Sequence, residues 1–298
     1  MLADFIYRFH TWVIGFIVVG IWTGLALLGL RHVHRRIDVN TRHKDTETVG
    51  LTFAIVGLIY GVLMALMVIN VMANFSASSA LATSEASAVN SLLIDSDGLA
   101  PSIAEPVRVD LEKYLDTVVK KEWPSQHEGK LGESVFEEGW TILAAANTRI
   151  ATFEPATMGQ NVLKGEMLRG INDLIRARRA RILAAGDHLP AVVWKMLLLG
   201  GATIVVYTYL FGPHSYAIHV AVTGLITVSI SIVFVLMIAL DYPFRGVVSV
   251  SSDPYLGVQT TFAPAHRAFG RVPLPENEGR AANANTIRPR SKAEETPR

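Results

Sequence analysis

The chain has 298 residues, of which 50% are hydrophobic and only 18% are charged. Soluble domains of this size carry nearer a quarter of charged residues, so an ordinary soluble protein is disfavoured. The net charge of +1 and the absence of cysteine exclude a strongly basic nucleic-acid-binding surface, disulfides, thiolate metal sites and a cysteine nucleophile.

The apolar residues are gathered into four long blocks, each close to the roughly 20 residues that cross a bilayer as a helix. Lys195 is the one charge in them, near the start of the third block. Lipid offers no hydrogen-bond partners to the backbone, so the blocks must be helices. Buried helices of a soluble protein are the alternative, disfavoured by the lack of polar faces. The blocks are Thr11 to Leu30, Val49 to Val71, Ala191 to Gly212 and Tyr216 to Leu240.

The sequence therefore predicts an all-α integral membrane protein, with four transmembrane helices in two pairs and a helical domain inserted between the pairs. The predicted boundaries are 1–72 for the first helix pair with its basic loop, 73–190 for the extramembrane domain and 191–246 for the second pair. Residues 247–298 form a tail, and its composition predicts disorder from about residue 270.

Small-xxx-small pairs occur in the first two spans and let helix backbones approach closely in lipid. They predict helix packing, within one chain or between copies, with pore flexibility as the alternative. The residues are Gly20, Gly24, Gly57 and Gly61.

Charge does not settle the orientation. The loop from Arg31 to Lys44 is basic, and the positive-inside rule places it in the cytoplasm, with the middle domain outside. The arginines from Arg176 to Arg181 approach the third span from the domain side and favour the opposite orientation.

The sequence of the middle domain predicts helices. Ser76 to Leu93 prolongs the second span out of the membrane, Trp123-Pro124 is predicted to end the next helix, and two further helices are predicted over Glu133 to Phe153 and Gly159 to Ala185. Acidic residues outnumber basic ones here by about four. The domain is either a solvated surface or a vestibule that biases ion concentration near a pore.

Hydroxyl and amide side chains are the candidates for lining a hydrated path. Three hydroxyls share one side of the fourth span, and an asparagine lies one turn before Asn74 at the end of the second. The alternative is that these groups bond the i−4 carbonyl or a neighbouring helix. The pore-lining candidates are Asn70, Thr223, Thr227 and Ser231.

Motifs for catalysis or cofactors are missing. There is no phosphate-binding glycine loop, no Gly-x-Ser-x-Gly and no His-Glu-x-x-His, so we expect no enzyme activity and no cofactor. His32, His34 and His43 flank the basic loop, but metal ligation needs three or four convergent donors. We expect no metal site, and Glu85, alone among small residues, is interpreted as solvated.

Three blocks of sequence resemble the bacterial bestrophin-like membrane proteins, a family classed as domain of unknown function 4239. The first runs from Val49 to Tyr60 and on to Asn74-Phe75 and Glu85-Ala86; the second joins Tyr114 to a Glu-Trp-Pro triplet; the third holds the arginine-rich helix and a Leu-Asp-x-Pro-Phe-x-Gly motif. The motif residues are Glu85, Tyr114, Glu122, Trp123, Pro124, Arg178, Arg181, Asp241, Pro243, Phe244 and Gly246.

The resemblance implies similarity to bestrophins, which are pentameric anion channels with four membrane helices per subunit and a large cytoplasmic domain. The aromatic-rich pore neck and the acidic calcium cluster of bestrophins are not found in this sequence. Asp241 sits where the fourth span ends and should have a partner at that depth. We expect an arginine between Arg176 and Arg181, or Arg245, to pair with it.

These observations favour an ion channel or ion-conducting pore in the bacterial plasma (inner) membrane, formed by a homo-oligomer. The expected partners are the lipid bilayer, further copies of the chain and inorganic ions, with no nucleic acid. The alternative is a non-conducting membrane sensor or scaffold whose helical domain binds a partner. A membrane enzyme would need a convergent polar pocket.

Overall fold

A computed structural model describes residues 11–37, 46–212 and 215–262. Within these ranges the regular structure is helical and contains no strand. His43 and the predicted disorder from residue 270 lie outside the described residues. The helices are α1 (Thr11–Arg36), α2 (Thr46–Ser96), α3 (Pro101–Thr117), α4 (Trp123–His127), α5 (Glu133–Thr152), α6 (Met158–Ala184), α7 (Ala191–Leu210), α8 (Tyr216–Asp241) and α9 (Asp253–Phe262).

Helices α1, α2, α7 and α8 are long and apolar enough to cross a membrane. The predicted class, an all-α integral membrane protein with four transmembrane helices, is confirmed. In space α1 packs mainly against α8, while α2 packs against both α7 and α8. Neighbours in the chain are therefore not the main packing partners in the bundle.

Helix α2 continues far beyond the length that a bilayer requires. Its 51 residues correspond to about 75 Å at 1.5 Å per residue. Neither glycine nor proline interrupts it after Gly61, and Gly98 and Pro101 follow its end. This confirms the prediction that Ser76 to Leu93 prolongs the second span, and it makes α2 a rigid element shared by the membrane bundle and the domain.

The core of the membrane bundle is built around Tyr60. Its hydroxyl donates to the Leu197 carbonyl oxygen at 2.8 Å. Its ring lies so close to Gly200 that a Cβ there would meet a ring carbon at 2.5 Å, and Gly201 contacts the same side chain. The buried residues packed here are Tyr60, Met64, Leu197, Ile204, Phe234 and Met237.

The glycine pairs predicted from sequence face open space within one chain. Among the residues that the structure describes, a Cβ added at any of them would meet nothing within 4 Å. The prediction that these glycines pack within one chain is therefore wrong. A small-xxx-small pattern indicates that another helix can approach closely, but it does not indicate which helix face does so. The four residues are Gly20, Gly24, Gly57 and Gly61.

The domain consists of the α2 extension with α3, α5 and α6. Helix α6 packs along α2, and α3 packs along α5. The helices predicted over Glu133 to Phe153 and Gly159 to Ala185 are confirmed to within a residue at each end.

The prediction that Trp123-Pro124 ends a helix is wrong. The chain passes from α3 through a π-helical turn, Val118–Glu122, directly into α4. Proline in an α-helix lacks a donor and clashes with the carbonyl four residues earlier. The wider π turn before Pro124 lets the chain continue, and single π turns of this kind are frequent at functional positions.

The segment after α8 folds back onto the domain. The Val250 amide donates to the Pro243 carbonyl oxygen at 2.8 Å, and Gly246 adopts a φ of 77° that favours glycine. The Trp123 indole donates to the Val250 carbonyl oxygen at 3.2 Å. Helix α9, which the sequence analysis did not predict, then buries Tyr255 against the Trp123 ring.

Candidate functional site

One face of α2 is exposed from the membrane-spanning part to the end of the helix. Exposed side chains recur along this face three or four positions apart, with one step of seven between Ile69 and Ser76, and we call them the α2 stripe. The opposite face carries Tyr60, Met64 and Val71 and is buried against the rest of the chain. The stripe consists of Leu58, Val62, Ala65, Ile69, Ser76, Ala80, Thr83, Ser87, Ser91 and Ile94.

The stripe changes character along its length. From Leu58 to Ile69 it is apolar, and from Ser76 to Ser91 it consists of alanine, serine and threonine. It contains no charged side chain, although its second half lies beyond the membrane-spanning length. A helix face in ordinary contact with water usually carries charged residues. An uncharged face of small hydroxyl side chains therefore indicates contact with other helices or with a hydrated path.

Three of the four predicted pore-lining residues lie inside the bundle of one chain. Thr223, Thr227 and Ser231 are fully buried. Thr227 and Ser231 donate to the carbonyl oxygens four residues earlier, both at 2.7 Å, and the Thr223 hydroxyl donates to that of Thr208 at 3.2 Å. This geometry agrees with the alternative that these hydroxyls bond a carbonyl of their own helix or a neighbouring helix. A pore on an axis between subunits would not be lined by these three side chains. Asn70, in contrast, is exposed on α2.

A cavity of about 490 Å³ lies where the spans meet the domain. It lies between α2 and the connection from α6 to α7, and Asp241 at the end of α8 also lines it. The cavity brings together two features that were separate in the sequence, the asparagine pair of α2 and the aspartate at the end of the fourth span. Its polar lining residues are Asn70, Asn74, Asp187, His188 and Asp241.

Asp241 does not pair with an arginine of α6. One carboxylate oxygen accepts from the Leu189 amide at 2.7 Å and the other from the Trp194 indole at 3.1 Å. The expected pairing with α6 is wrong because Arg178 and Arg181 point into the domain, and Arg245, the other expected partner, lies over the Tyr242 ring. Asp241 instead ties the end of α8 to the start of α7.

The residues that follow Asp241 connect the end of α8 to the domain. The Tyr242 ring stacks on His188 with 4.9 Å between ring centroids, and the Arg245 guanidinium lies 4.6 Å from the Tyr242 centroid. Arg245 also donates to the Gly129 carbonyl oxygen at 3.4 Å. Phe244 is buried and packs edge-on against Trp123. This part of the family motif therefore joins the membrane bundle to the domain.

A groove of about 550 Å³ runs beside the stripe, between α2 and α6. Ser84, Ser87 and Ser91 line it from α2. Arg176 and Asp173 line it from α6, and these two side chains form an ion pair with each other. The groove is therefore polar, with its basic group matched by an adjacent carboxylate.

Two arginines and two glutamates form a network in the centre of the domain, and all four side chains are fully buried. Arg178 binds Glu122 through two hydrogen bonds of 2.7 and 2.9 Å. Arg181 binds Glu85 through two more, of 2.6 and 3.1 Å, and reaches Glu122 at 2.8 Å. The interpretation of Glu85 as a solvated carboxylate is therefore wrong.

Neutral groups complete the network. Tyr114 donates to Glu85 at 2.5 Å, Arg178 donates to the Phe136 carbonyl oxygen at 2.9 Å, and Arg181 donates to the Gln126 side-chain oxygen at 2.9 Å. The Arg178 guanidinium lies 4.9 Å from the centroid of Trp140. Buried charges are tolerated only when they are paired and hydrogen-bonded in this way.

Two backbone features place the network. The π turn ends at Glu122 and directs its carboxylate inward between both arginines. Gly139 on α5 gives the pair room, because a Cβ there would meet the Arg178 guanidinium and would lie 2.6 Å from a Glu122 oxygen. Any larger residue at this position would therefore compress the ion pair.

The surroundings raise the pKa of the buried tyrosines and of Arg181. Burial, and then the negative charge of Glu85, raise the pKa of Tyr114 and of Tyr255 well above its usual value. Burial disfavours a charged Arg181, but Glu85, Tyr255 and Glu122 outweigh it, and the pKa of Arg181 is raised well above its ordinary value. With two positive and two negative charges, the network has no net charge and joins α2, α4 and α6.

Sequence reasoning had named Glu85, Tyr114, Glu122, Arg178 and Arg181 as family-motif residues, but it had not placed them together in a buried network. Gln126, which accepts from Arg181, and Tyr255, which is buried near it, were missed, since nothing local marks either residue as part of a buried network. The spacing of Arg178 and Arg181, three residues apart on one helix side, was the available signal. Over the described ranges, no group of three or more histidine, aspartate or glutamate side chains could hold a metal ion.

Comparison with known proteins identifies the architecture. No curated protein matches the chain. Among solved structures, a bacterial bestrophin homologue from Klebsiella pneumoniae that carries one substitution is similar with a TM-score of 0.58 and 13% identity, covering 83% of this chain and 96% of that one. A crystal structure described as a membrane protein, also a point variant, gives a TM-score of 0.57 at 13% identity, with the same coverages of 83% and 96%. The bestrophin-like domain family matches residues 20–255, and the chain therefore belongs to the bestrophin-like family.

Proposed function

We propose that this chain assembles with further copies of itself in the bacterial inner membrane and forms an ion-conducting pore lined by the α2 stripe. One observation carries the proposal: the stripe is exposed and uncharged along a single rigid helix, from the membrane-spanning part into the domain. The proposal assigns no catalytic step to the chain.

The geometry of α2 supports an axis outside the single chain. The 36 residue steps from Leu58 to Ile94 correspond to about 54 Å of helix, enough to cross the hydrocarbon and continue beyond it. The buried hydroxyls of α8 are bonded within the chain, so they offer ions no open path. A ring of chains that turned their stripes to a common axis would enclose one.

The two halves of the stripe suit different tasks. Apolar side chains such as Leu58, Val62 and Ile69 suit a narrow passage that controls wetting. The hydroxyl side chains Ser76, Thr83 and Ser87 suit a wider hydrated vestibule, since each can donate to and accept from water. Membership of the bestrophin-like family adds support at the level of fold, because the resemblance implies a channel.

The absence of native cysteine makes the proposal directly testable. Single cysteines at Ser76, Thr83 and Ser87 would each be the only thiol in the protein. We expect purified protein in liposomes to conduct ions, and a charged thiol reagent to block conduction through these variants. Cysteine at Thr141, which is exposed on α5, is the matched control and should react without blocking.

Cross-linking gives an independent measurement. Oxidation of the Ser76 and Thr83 cysteine variants in membranes should join neighbouring copies, whereas the Thr141 variant should remain monomeric. No flux of chloride, sodium, potassium or calcium through the wild-type protein would contradict the pore and favour the non-conducting scaffold. Flux that persists after the stripe cysteines are modified would remove α2 as the lining.

A further inference from the structure

A cleft of about 230 Å³ separates part of α1 from α7, and we call it the α1–α7 cleft. We infer that it binds one anionic phospholipid, with an acyl chain in the cleft and the phosphate at the basic end of α1. The inference requires a chain that spans the membrane but not one that conducts ions. The residues of the cleft used below are Trp22, Leu25, Ala26, Ala202, Val206 and Tyr209.

The cleft exists because α1 packs mainly against α8 and contacts α7 less extensively. Tyr209 of α7 joins the two helices, since its hydroxyl donates to the Ala26 carbonyl oxygen at 2.8 Å. The same hydroxyl lies so close to Gly29 that a Cβ there would meet it at 2.6 Å. Beside this contact, the small side chains of Ala26 and Ala202 leave the space between the helices unfilled.

The edges of the cleft are open to hydrocarbon. Leu25 is 60% exposed and Val206 is 54% exposed, and both belong to helices that are long and apolar enough to cross a membrane. Leu25 lies five residues before Leu30, where the apolar block ends, which corresponds to a depth of about 8 Å. Acyl chains occupy this depth, whereas a water-soluble anion would have to leave its hydration shell to reach it.

A line of residues on α1 leads from the cleft to a positive charge. Gly29, His32 and Arg36 follow Leu25 at steps of four, three and four residues, so the four positions lie on one side of the helix. The 11 steps from Leu25 to Arg36 correspond to about 17 Å, slightly more than half of a hydrocarbon core about 30 Å thick. A lipid with its chain against Leu25 therefore has its phosphate within reach of Arg36.

The charge at this end of α1 suits an anionic headgroup. Helix α1 contains no acidic residue and ends in Arg35 and Arg36, which form no ion pair within the described ranges. From Arg31 to Asp45 the sequence has five basic residues and two acidic ones, so the region is positive. Guanidinium groups bind phosphate through paired hydrogen bonds, and His32 supplies a further N–H donor. Basic clusters beside a membrane helix are typical sites for anionic lipids.

The test is native mass spectrometry of the purified protein in detergent, with dioleoyl phosphatidylglycerol and dioleoyl phosphatidylcholine as probes. We expect one phosphatidylglycerol per chain, bound more tightly than phosphatidylcholine. Arg36→Gln should weaken phosphatidylglycerol binding about fivefold, because a basic residue near the membrane surface contributes about this factor to the binding of anionic lipid. The same substitution should leave phosphatidylcholine binding unchanged.

Each part of the site has a matched control. Arg31→Gln removes the same charge, but Arg31 follows Trp22 by nine positions and lies on the opposite side of α1, so phosphatidylglycerol binding should persist. Ala202→Phe fills the cleft and should weaken the binding of both lipids. Ala221→Phe, at an exposed position of α8, should weaken neither. Thermal denaturation without added lipid checks that each variant is folded.

Four outcomes would overturn the inference. Equal affinity for the two lipids, or equal losses in Arg31→Gln and Arg36→Gln, would remove the phosphate site. Displacement of phosphatidylglycerol by excess inorganic phosphate would show that the acyl chain does not occupy the cleft. A smaller oligomer of Ala202→Phe than of the wild type would show that a second copy, and not lipid, covers the cleft. None of these results depends on whether the protein conducts ions.

Discussion

Glu122 and Arg178, which are 56 residues apart in the chain, form a fully buried bidentate ion pair with hydrogen bonds of 2.7 and 2.9 Å. Glu122 reaches this position because a π turn precedes the Glu-Trp-Pro triplet, and Arg178 reaches it from the middle of α6. Both residues belong to the family motifs. The motif residues of the domain therefore have a structural role, since they pack around this ion pair.

Glu85→Gln should strongly destabilise the domain. The substitution leaves Arg181 buried with one carboxylate fewer, and breaking a buried pair by removing one partner costs about 3 to 5 kcal/mol. Chemical denaturation of the detergent-solubilised protein measures this loss. Glu166→Gln removes an exposed carboxylate beside Arg169 on α6 and serves as the control. Equal stability of the two variants would show that the network does not hold the domain together.

Gly139→Ala should destabilise the protein, although alanine is the better helix former. The added Cβ would be forced against Arg178 and Glu122, and overpacking of this kind costs about 1 to 3 kcal/mol. Gly165→Ala on α6 is the matched control, because a Cβ there meets no atom of the described ranges within 4 Å, and this substitution should stabilise by up to about 1 kcal/mol. Denaturation midpoints of the two variants should therefore move in opposite directions. A stabilised Gly139→Ala protein would contradict the tight approach.

Stability should fall as the pH rises above 10. The pKa of Tyr114 and of Tyr255 is raised well above 10.0, first by burial and then by Glu85. Above pH 10 the unfolded chain releases protons that the folded chain retains, so this contribution is complete below pH 10 and is lost as the pH rises toward the folded pKa. Denaturation measured at a series of pH values from neutral to strongly alkaline gives the slope.

Tyr114→Phe separates this effect from the other tyrosines. At neutral pH the variant should be less stable by about 1 kcal/mol, because the hydrogen bond to Glu85 is gone. Above pH 10 its stability should fall less steeply than that of the wild type. Parallel curves for the two proteins would mean that Tyr114 titrates alike in the folded and unfolded chains.

Asp241→Asn should weaken the joint between α7 and α8. Both carboxylate oxygens accept from N–H donors, and the amide group of asparagine must turn its own donor toward either Leu189 or Trp194. We expect a loss of about 1 to 3 kcal/mol, measured as thermal stability in detergent. Trp194→Phe combined with Asp241→Asn should lose less than the sum of the single losses. Asp187→Asn, at an exposed position, is the control, and strict additivity would contradict the direct contact.

The sequence by itself determined the membrane architecture. Whether a segment crosses a bilayer depends on about 20 consecutive residues, so composition along the chain was sufficient to find α1, α2, α7 and α8. The extension of α2 was equally local, because no glycine or proline follows Gly61 before Gly98. The long domain helices α5 and α6 followed from apolar periodicity and flanking loop residues.

Only the tertiary structure decided which face of each helix meets which neighbour. A transmembrane helix is apolar on all sides, so its sequence carries no periodic signal to separate a packed face from an exposed one. Thr223, Thr227 and Ser231 therefore looked like pore candidates and proved to be buried. The same holds for Glu85 and Arg181, which are 96 residues apart, because burial and ion pairing depend on non-local packing that no local pattern records.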